Sequence, residues 1–468
     1  MKKGIRLIGF FRAMLSRFKN DGGKMRKIRK ARFEALSYAR IPLVKNMSRE
    51  IEWYSNENNA TLGAILLDLI DDDYVCVILG RDEVGVFRWI DGEASISSLS
   101  KARRVLSTKM KEVAKLEQFP QGGKVRDKNE FFLPVVSKEK MPADYITLAE
   151  SEFFSPAKEL IQEIAYSFED PDGNYIEQFQ SSGFNPRLWE LYLYALFHEL
   201  DFTFNRSFNA PDYVIDKNEQ RICVEAVTVN PSSNGFDEPE PKPEDEAVKE
   251  QLLNDYVPIK YGSPLFSKLQ KKYWEKEHVA GLPLILAIHD YHTNDAMMWT
   301  RPGLELYLYG AKRDLESFDP VTGEYSSKII KQHRWKGKEI PSGFFMQPDA
   351  ENISAVIHCN QATIGKFLRM GYLAEFGRRD MDIHFSCEAI FENRRPPQPL
   401  LLDVTHQDYE EYWGNSVVVY HNPNARNKLN PSLFKGIAQF FYDEGQFTVI
   451  KPNFFPLWGR TRYRNSEK

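Results

Sequence analysis

The sequence predicts an α/β (α+β) protein: a central mixed sheet flanked by helices, with further mixed α/β regions on its N- and C-terminal sides. Three observations predict this. The chain has 468 residues, 42% apolar and 13% aromatic, ample for several domains of about 100–200 residues and a large core. Apolar runs of strand length, bounded by turn residues, alternate with amphipathic stretches of helical length. No run approaches the roughly 18 apolar residues of a membrane-spanning helix.

The net charge of −4 hides an uneven distribution. Residues 1–50 carry +12 and the remainder −16. A basic arm on an acidic body points to a polyanionic partner. Residues 1–29 read as a basic, disordered leader in which Met14 and Met25 are alternative starts. Within it Leu7, Phe11, Met14, Leu15 and Phe18 share one helical face, the pattern of a short interfacial helix. It has neither the apolar core nor the cleavage site of a secretory signal. Cys76, Cys223, Cys359 and Cys387 are far apart and form no CxxC pair, which favours a reducing, cytoplasmic setting over a disulfide framework.

Residues 30–145 form the first region. LGAILLDLI, YVCVILG and VGVFRWI over 61–91, separated by DDD and RDE, predict a β-meander. A basic helix near 97–116 and a linker over 117–145 follow. Ser155 and Pro156 suit the first turn of a helix over 155–168.

Residues 150–310 form the second region, and here the sequence says most. It reads helix 186–200, strands 201–207, 210–216 and 221–229, an acidic loop 231–258, helix 264–277 and strand 282–289. The strand RICVEAVTV places Glu225 where an apolar residue belongs, and a buried carboxylate needs a partner or a metal. Pro211-Asp212 opens the preceding strand. With a four-residue turn 217–220 and Asp216 opposite Arg221, Asp212 falls opposite Glu225, with Cβ atoms about 4.5–5.5 Å apart. Two such carboxylates repel unless a cation lies between them, and oxygen ligands suit Mg2+ or Mn2+. In RLWELYLYALFHEL, Glu190 shares a face with Leu193, Tyr194 and Phe197 and so points inward, whereas Glu199 points to solvent. Ser263 caps and Pro264 opens the next helix; Leu265, Phe266, Leu269 and Tyr273 form its apolar face, with Lys268 and Lys272 at one edge. A lysine there reaches the sheet carboxylates or a phosphate, or simply snorkels.

This order of elements, with Pro211-Asp212, Glu225 and Glu190, resembles the PD-(D/E)XK (restriction-endonuclease-like) nuclease superfamily, over about 110 residues from Gly183 to His289. EAVTVNPS and SPLFSKLQKKYWEKEHVAGLPLILAI look like a bacterial branch of it. The motif's Lys is absent, since Glu225-Ala226-Val227 stands in its place. Some members supply that lysine from the following helix, where Lys268 or Lys272 fits. The resemblance implies metal ligation by Asp212, Glu225 and the Ala226 carbonyl, with Glu190 assisting. It also implies Mg2+ (or Mn2+) as cofactor, DNA as substrate, and a role in restriction, phage defence or repair. The missing Lys supports a second reading, a non-catalytic nucleic-acid-binding or assembly subunit on a decayed core. A third places a hydrolytic or metal site at His289-Asp290-Tyr291-His292.

Residues 311–468 read as a mixed C-terminal region for recognising substrate or protein partners. Strands are expected at 353–359, 382–391 and 416–421, with a break at RRPPQP and the terminal run PNFFPLWGRTRYR packed on the body. There is no P-loop, GxGxxG or GxSxG signature.

Overall fold

The computed structural model describes residues 24–466, apart from 41, 43, 58, 117–118, 120–127, 171, 232–239, 318, 322–325 and 392–393. The proposed interfacial helix about Leu7–Phe18 lies outside the described residues. The fold is mixed α/β, in two units: 1–130 with 162–168, and 131–161 with 169–468.

In the first unit, β1 (Arg26–Ile28), β2 (Ser48–Ser55), β3 (Thr61–Asp68), β4 (Tyr74–Arg81) and β5 (Phe87–Ile96) form an antiparallel sheet in chain order. The expected three-stranded meander is β3–β5, which runs from the middle of the sheet to one edge. Arg26–Ile28, read as part of a disordered leader, pairs with Trp53–Ser55 instead. Helix α1 (Leu99–Val113) starts where Ser98 Oγ accepts the Lys101 amide at 3.3 Å, an ordinary N-cap. It buries Ala102, Leu106, Met110 and Val113. Gly63 lets the helix come close: a Cβ there would stand 2.8 Å from Met110 Sδ. The expected linker 117–145 already contains part of a helix, Ala143–Glu150, within the second unit. The predicted helix over 155–168 forms as Ser155–Ser167.

The second unit is built on an eight-stranded sheet. Helix α2 (Phe184–Glu199) precedes β6 (Thr203–Asn205), β7 (Tyr213–Lys217) and β8 (Gln220–Val229). Helix α3 (Val257–Leu269) leads to β9 (Leu284–Asp290), and β9 is buried along its whole length. From residue 311 onward come β10 (Ala311–Arg313), β11 (Ser327–Ile329), β12 (Gln332–Trp335), β13 (Lys338–Pro341), β14 (Ala355–His358), β15 (Met381–Phe391), β16 (Arg394–Asp403), β17 (Val418–His421), β18 (Ala438–Asp443), β19 (Gln446–Ile450) and β20 (Phe454–Asn465). The sheet order is β19-β18-β17-β14-β9-β8-β7-β6, with β8, β9 and β14 parallel. The division expected at 310/311 therefore runs through one sheet, because β14 closes the second edge of β9.

On one face of the sheet, α2 packs Phe197 against Tyr213, and Trp189 Nε1 donates to the Ala287 carbonyl at 2.9 Å. On the other, Tyr261, Leu265 and Leu269 of α3 join Val227, Leu286 and Ile288 in the core.

Three local expectations are corrected. The helix read as 264–277 runs instead from Glu246–Gln251 through a π-helical turn, Leu252–Tyr256, into α3, so Pro264 lies inside it. Interior proline costs about 3 kcal/mol, and the burial of Val257, Tyr261 and Leu265 offsets it. The same finding shortens the acidic loop 231–258, whose second half is helical. Phe266, placed on the apolar face, is exposed. RRPPQP is no break: Arg394–Asp403 is an edge strand that, among the described residues, pairs with β15 alone, where proline's missing N–H costs little. As expected, PNFFPLWGRTRYR packs on the body, forming β20 along β15.

Candidate active site

The hairpin β7–β8 sets the site. Asp216 does pair with Arg221, but pairing continues to Lys217–Gln220, so the turn has two residues and not four. Asn218 and Glu219 both take left-handed φ, 51° and 61°, as a type I′ hairpin turn requires. The ladder ends at Tyr213–Val224. One step further the same register sets Asp212 opposite Glu225, and side chains replace the backbone ladder there. The Asp212 amide donates to Glu225 Oε2 at 3.2 Å, and the Ala226 amide donates to Asp212 Oδ2 at 2.7 Å. The Ala226 carbonyl leaves the strand on the same side as its amide, so it too faces Asp212. Arg206, stacked on Tyr213, donates to the Asp212 carbonyl at 2.9 Å and fixes this strand end.

Glu225 is buried, and its Oε1 accepts from two side chains. Lys268 Nζ of α3 lies 2.5 Å away and Tyr273 Oη 2.7 Å away. Lys268 is thus the cation reaching the acids. Lys272 is not: α3 ends at Leu269, Lys272 turns left-handed at φ 49°, and its Nζ lies 3.5 Å from Asp349 and 3.9 Å from Glu275. Glu190 is buried and turned inward as expected, with Arg187 Nη1 on its two oxygens at 3.0 and 2.8 Å. Glu199 is not solvated: it accepts the amides of Trp413 and Gly414, both at 2.8 Å.

The electrostatics follow from burial and like charge. Burial raises the Asp212 carboxyl well above its ordinary range, and the charges of Glu225 and Glu190 raise it further against the Ala226 amide and Lys268. Burial likewise raises Glu190, opposed by Arg187. The Tyr273 hydroxyl is pushed up by burial and then by Glu225, so it remains a donor.

Among the described residues no three His, Cys, Asp or Glu side chains are arranged to hold a metal ion unaided. The donor set nonetheless fits a hard cation. Asp212 and Glu225 offer carboxylate oxygens on one strand edge with the Ala226 carbonyl, and Mg2+ is commonly held by one or two carboxylates with water completing the shell.

Comparison with family models, curated proteins and solved structures finds no match.

What the site can do follows from its geometry. Sequence reasoning named Asp212, Glu225, Ala226 and Glu190 and left Lys268 and Lys272 as alternatives, of which the structure brings Lys268 to Glu225. It missed Arg187, which lies three residues before Glu190 and hence one helical turn away. It also missed Arg206 and the polar role of Tyr273, for which the sequence carries no signal beyond proximity.

The His289 cluster is distinct in character. His289 is fully buried, burial pushes its imidazole down to about 3, and its Nε2 accepts the Ala362 amide at 3.1 Å. His292 Nδ1 lies 2.6 Å from Asp290 Oδ1, and both residues are buried. This pair and the neutral His289 form a buried polar layer at the carboxyl end of β9.

Proposed function

We propose that the protein is a metal-dependent endonuclease, using Mg2+ or Mn2+ to hydrolyse DNA phosphodiester bonds in the cytoplasm, in restriction, phage defence or repair. The observation that carries this is the convergence of Asp212, Glu225 and the Ala226 backbone at one strand edge, with Lys268 brought to it from α3. Two like charges held together in a buried hairpin are costly unless a cation joins them. Asp212, Glu225 and the Ala226 carbonyl would hold the ion. Bound there, it would lower the pKa of a water and stabilise charge on the phosphate. The chain's own residues supply the rest. Lys268 keeps its ammonium at the mouth of the site, 30% exposed, where it can neutralise charge developing on phosphate oxygens. Tyr273 orients Glu225, and Arg187 holds Glu190 beside the pair. The order of elements, similar to that of PD-(D/E)XK nucleases, supports the same reading, with Lys268 replacing the motif lysine.

The test is cleavage of supercoiled plasmid in Mg2+, Mn2+ or EDTA. The parent protein should nick or linearise plasmid only with metal. Asp212→Ala and Glu225→Gln should fall to background, and Lys268→Met should lose about 10²–10³-fold in rate. Equal cleavage by parent and Asp212→Ala would refute the assignment.

One observation favours a second reading, a non-catalytic nucleic-acid-binding or assembly subunit. Lys268 and Tyr273 already satisfy Glu225, and Arg187 already satisfies Glu190. Calorimetric titration separates the two, because a decayed core shows no Mg2+ or Mn2+ binding that depends on Asp212.

A further inference from the structure

The first unit carries a surface that the acidic site does not use. At 3.6 residues per turn, Lys101, Arg104, Thr108 and Lys111 of α1 line up opposite its buried face, and Lys115 continues the line in the next turn. All five are exposed. Among the described residues none of these four cations has a carboxylate within ion-pair distance. Cations on the flanks of the same helix do: Arg103 lies 2.7 Å from Glu52 and Lys109 3.0 Å from Asp91. The acid of the helix, Glu112, falls to one side of the line. Like charges three and four residues apart repel along a helix, so an unmixed cationic line works against helix stability. Lys27 of β1 lies on the Arg103 flank and not in the line. It shares Glu52 with Arg103 and remains 60% exposed.

We propose that this line binds the phosphate backbone of nucleic acid. From Lys101 to Lys115 it extends about 21 Å at ~1.5 Å per residue, long enough to set its four cations against successive backbone phosphates. Spaced cations with no apolar or amide-bearing side chain among them suit sequence-independent backbone contact. A membrane surface fits less well. Interfacial helices insert their apolar face into lipid, and here that face is buried on the sheet. The inference rests on the nucleic-acid reading of the protein but not on cleavage.

The test uses the full chain in EDTA and a fluorescein-labelled duplex of about 30 base pairs, with affinity measured by anisotropy as KCl is varied. Replacing Lys101, Arg104, Lys111 and Lys115 together by Gln should flatten the plot of log affinity against log salt by about 3–4, near 0.9 per lost phosphate contact. A control with Lys328, Lys331, Lys338 and Lys435 replaced by Gln changes net charge equally and should keep the parent's slope. Circular dichroism should match the parent in both variants, and the α1 variant should melt no lower than the parent, since it loses like-charge repulsion along the helix. An unchanged slope, an equal loss in the control, or an effect confined to phosphatidylserine vesicles would each overturn the proposal. A parent that binds through this line but never cleaves would refute the nuclease reading and leave this one standing.

Discussion

At the scale of single residues the acidic pair decides the chemistry. Asp212 is held beside Glu225 by backbone amides, with its carboxyl raised by burial and then by its acidic neighbours. Between the ordinary aspartate pKa and this raised value, the folded chain retains a proton that the unfolded chain has lost. Stability therefore falls as pH rises through that window. Asp212→Asn removes the dependence while keeping an acceptor for the Ala226 amide. It should melt about 1–2 °C above the parent at pH 7, the scale of ~1 kcal/mol for a unit of this size, and the difference should close near pH 4. Mg2+ at about 100 times its Kd should add ~2.7 kcal/mol to the parent and nothing to the variant. A variant that melts no higher at pH 7 would show that the pair is not under charge strain. Glu190, Asp212 and Glu225 were legible in the sequence because each is an acid in an apolar periodicity. Arg206 and Tyr273 were not, because cations and aromatics near a core carry no pattern that marks a contact with one carboxylate or carbonyl.

At the scale of elements, one hairpin sets the register of the site. A two-residue turn and the four-residue turn read from sequence put the same residues opposite each other, so the Asp212–Glu225 pairing survived the difference. The turn places Glu219 at φ 61°, a conformation that disfavours a side chain. Glu219→Gly should stabilise the protein by about 0.5–1 kcal/mol, read as a higher urea midpoint at unchanged slope. A destabilised variant would mean that the Glu219 side chain contributes more than its backbone strain costs. The α3 region shows the opposite outcome. Pro264 reads locally as a helix start, but the helix passes through it, because burial of residues on both sides outweighs one lost hydrogen bond. That shift ends α3 at Leu269 and separates Lys268, which reaches Glu225, from Lys272, which pairs with Glu275 and Asp349.

At the scale of the molecule, the site belongs to a larger body than its motif suggests. Strand β9 is buried between β8 and β14, and β14 lies beyond the expected end of the core. A fragment of residues 131–310 would bare the β9 edge along Ile285–Ile288. It should be insoluble or without a cooperative melt, whereas a folded, soluble fragment would show that the C-terminal strands are dispensable. A second cohesive element is the buried group of Lys366, Arg369 and Glu411. Burial alone would raise the Glu411 carboxyl, but Arg369 and Lys366 outweigh it and hold it at about 2.

The sequence by itself determined the strands of the site, helix α2, the inward acids and the chain order of the core, because periodicity and the cost of a buried charge are local. Tertiary structure alone decided which lysine meets Glu225, that Arg187 holds Glu190, and that the C-terminal strands complete the central sheet. Those outcomes depend on where helices end and which edges pair, and long-range burial fixes both against weak local preferences. The same division applies to charge. Composition located a basic N-terminal arm, but only the packing of α1 showed which cations of that helix stand in a line with no carboxylate partner among the described residues.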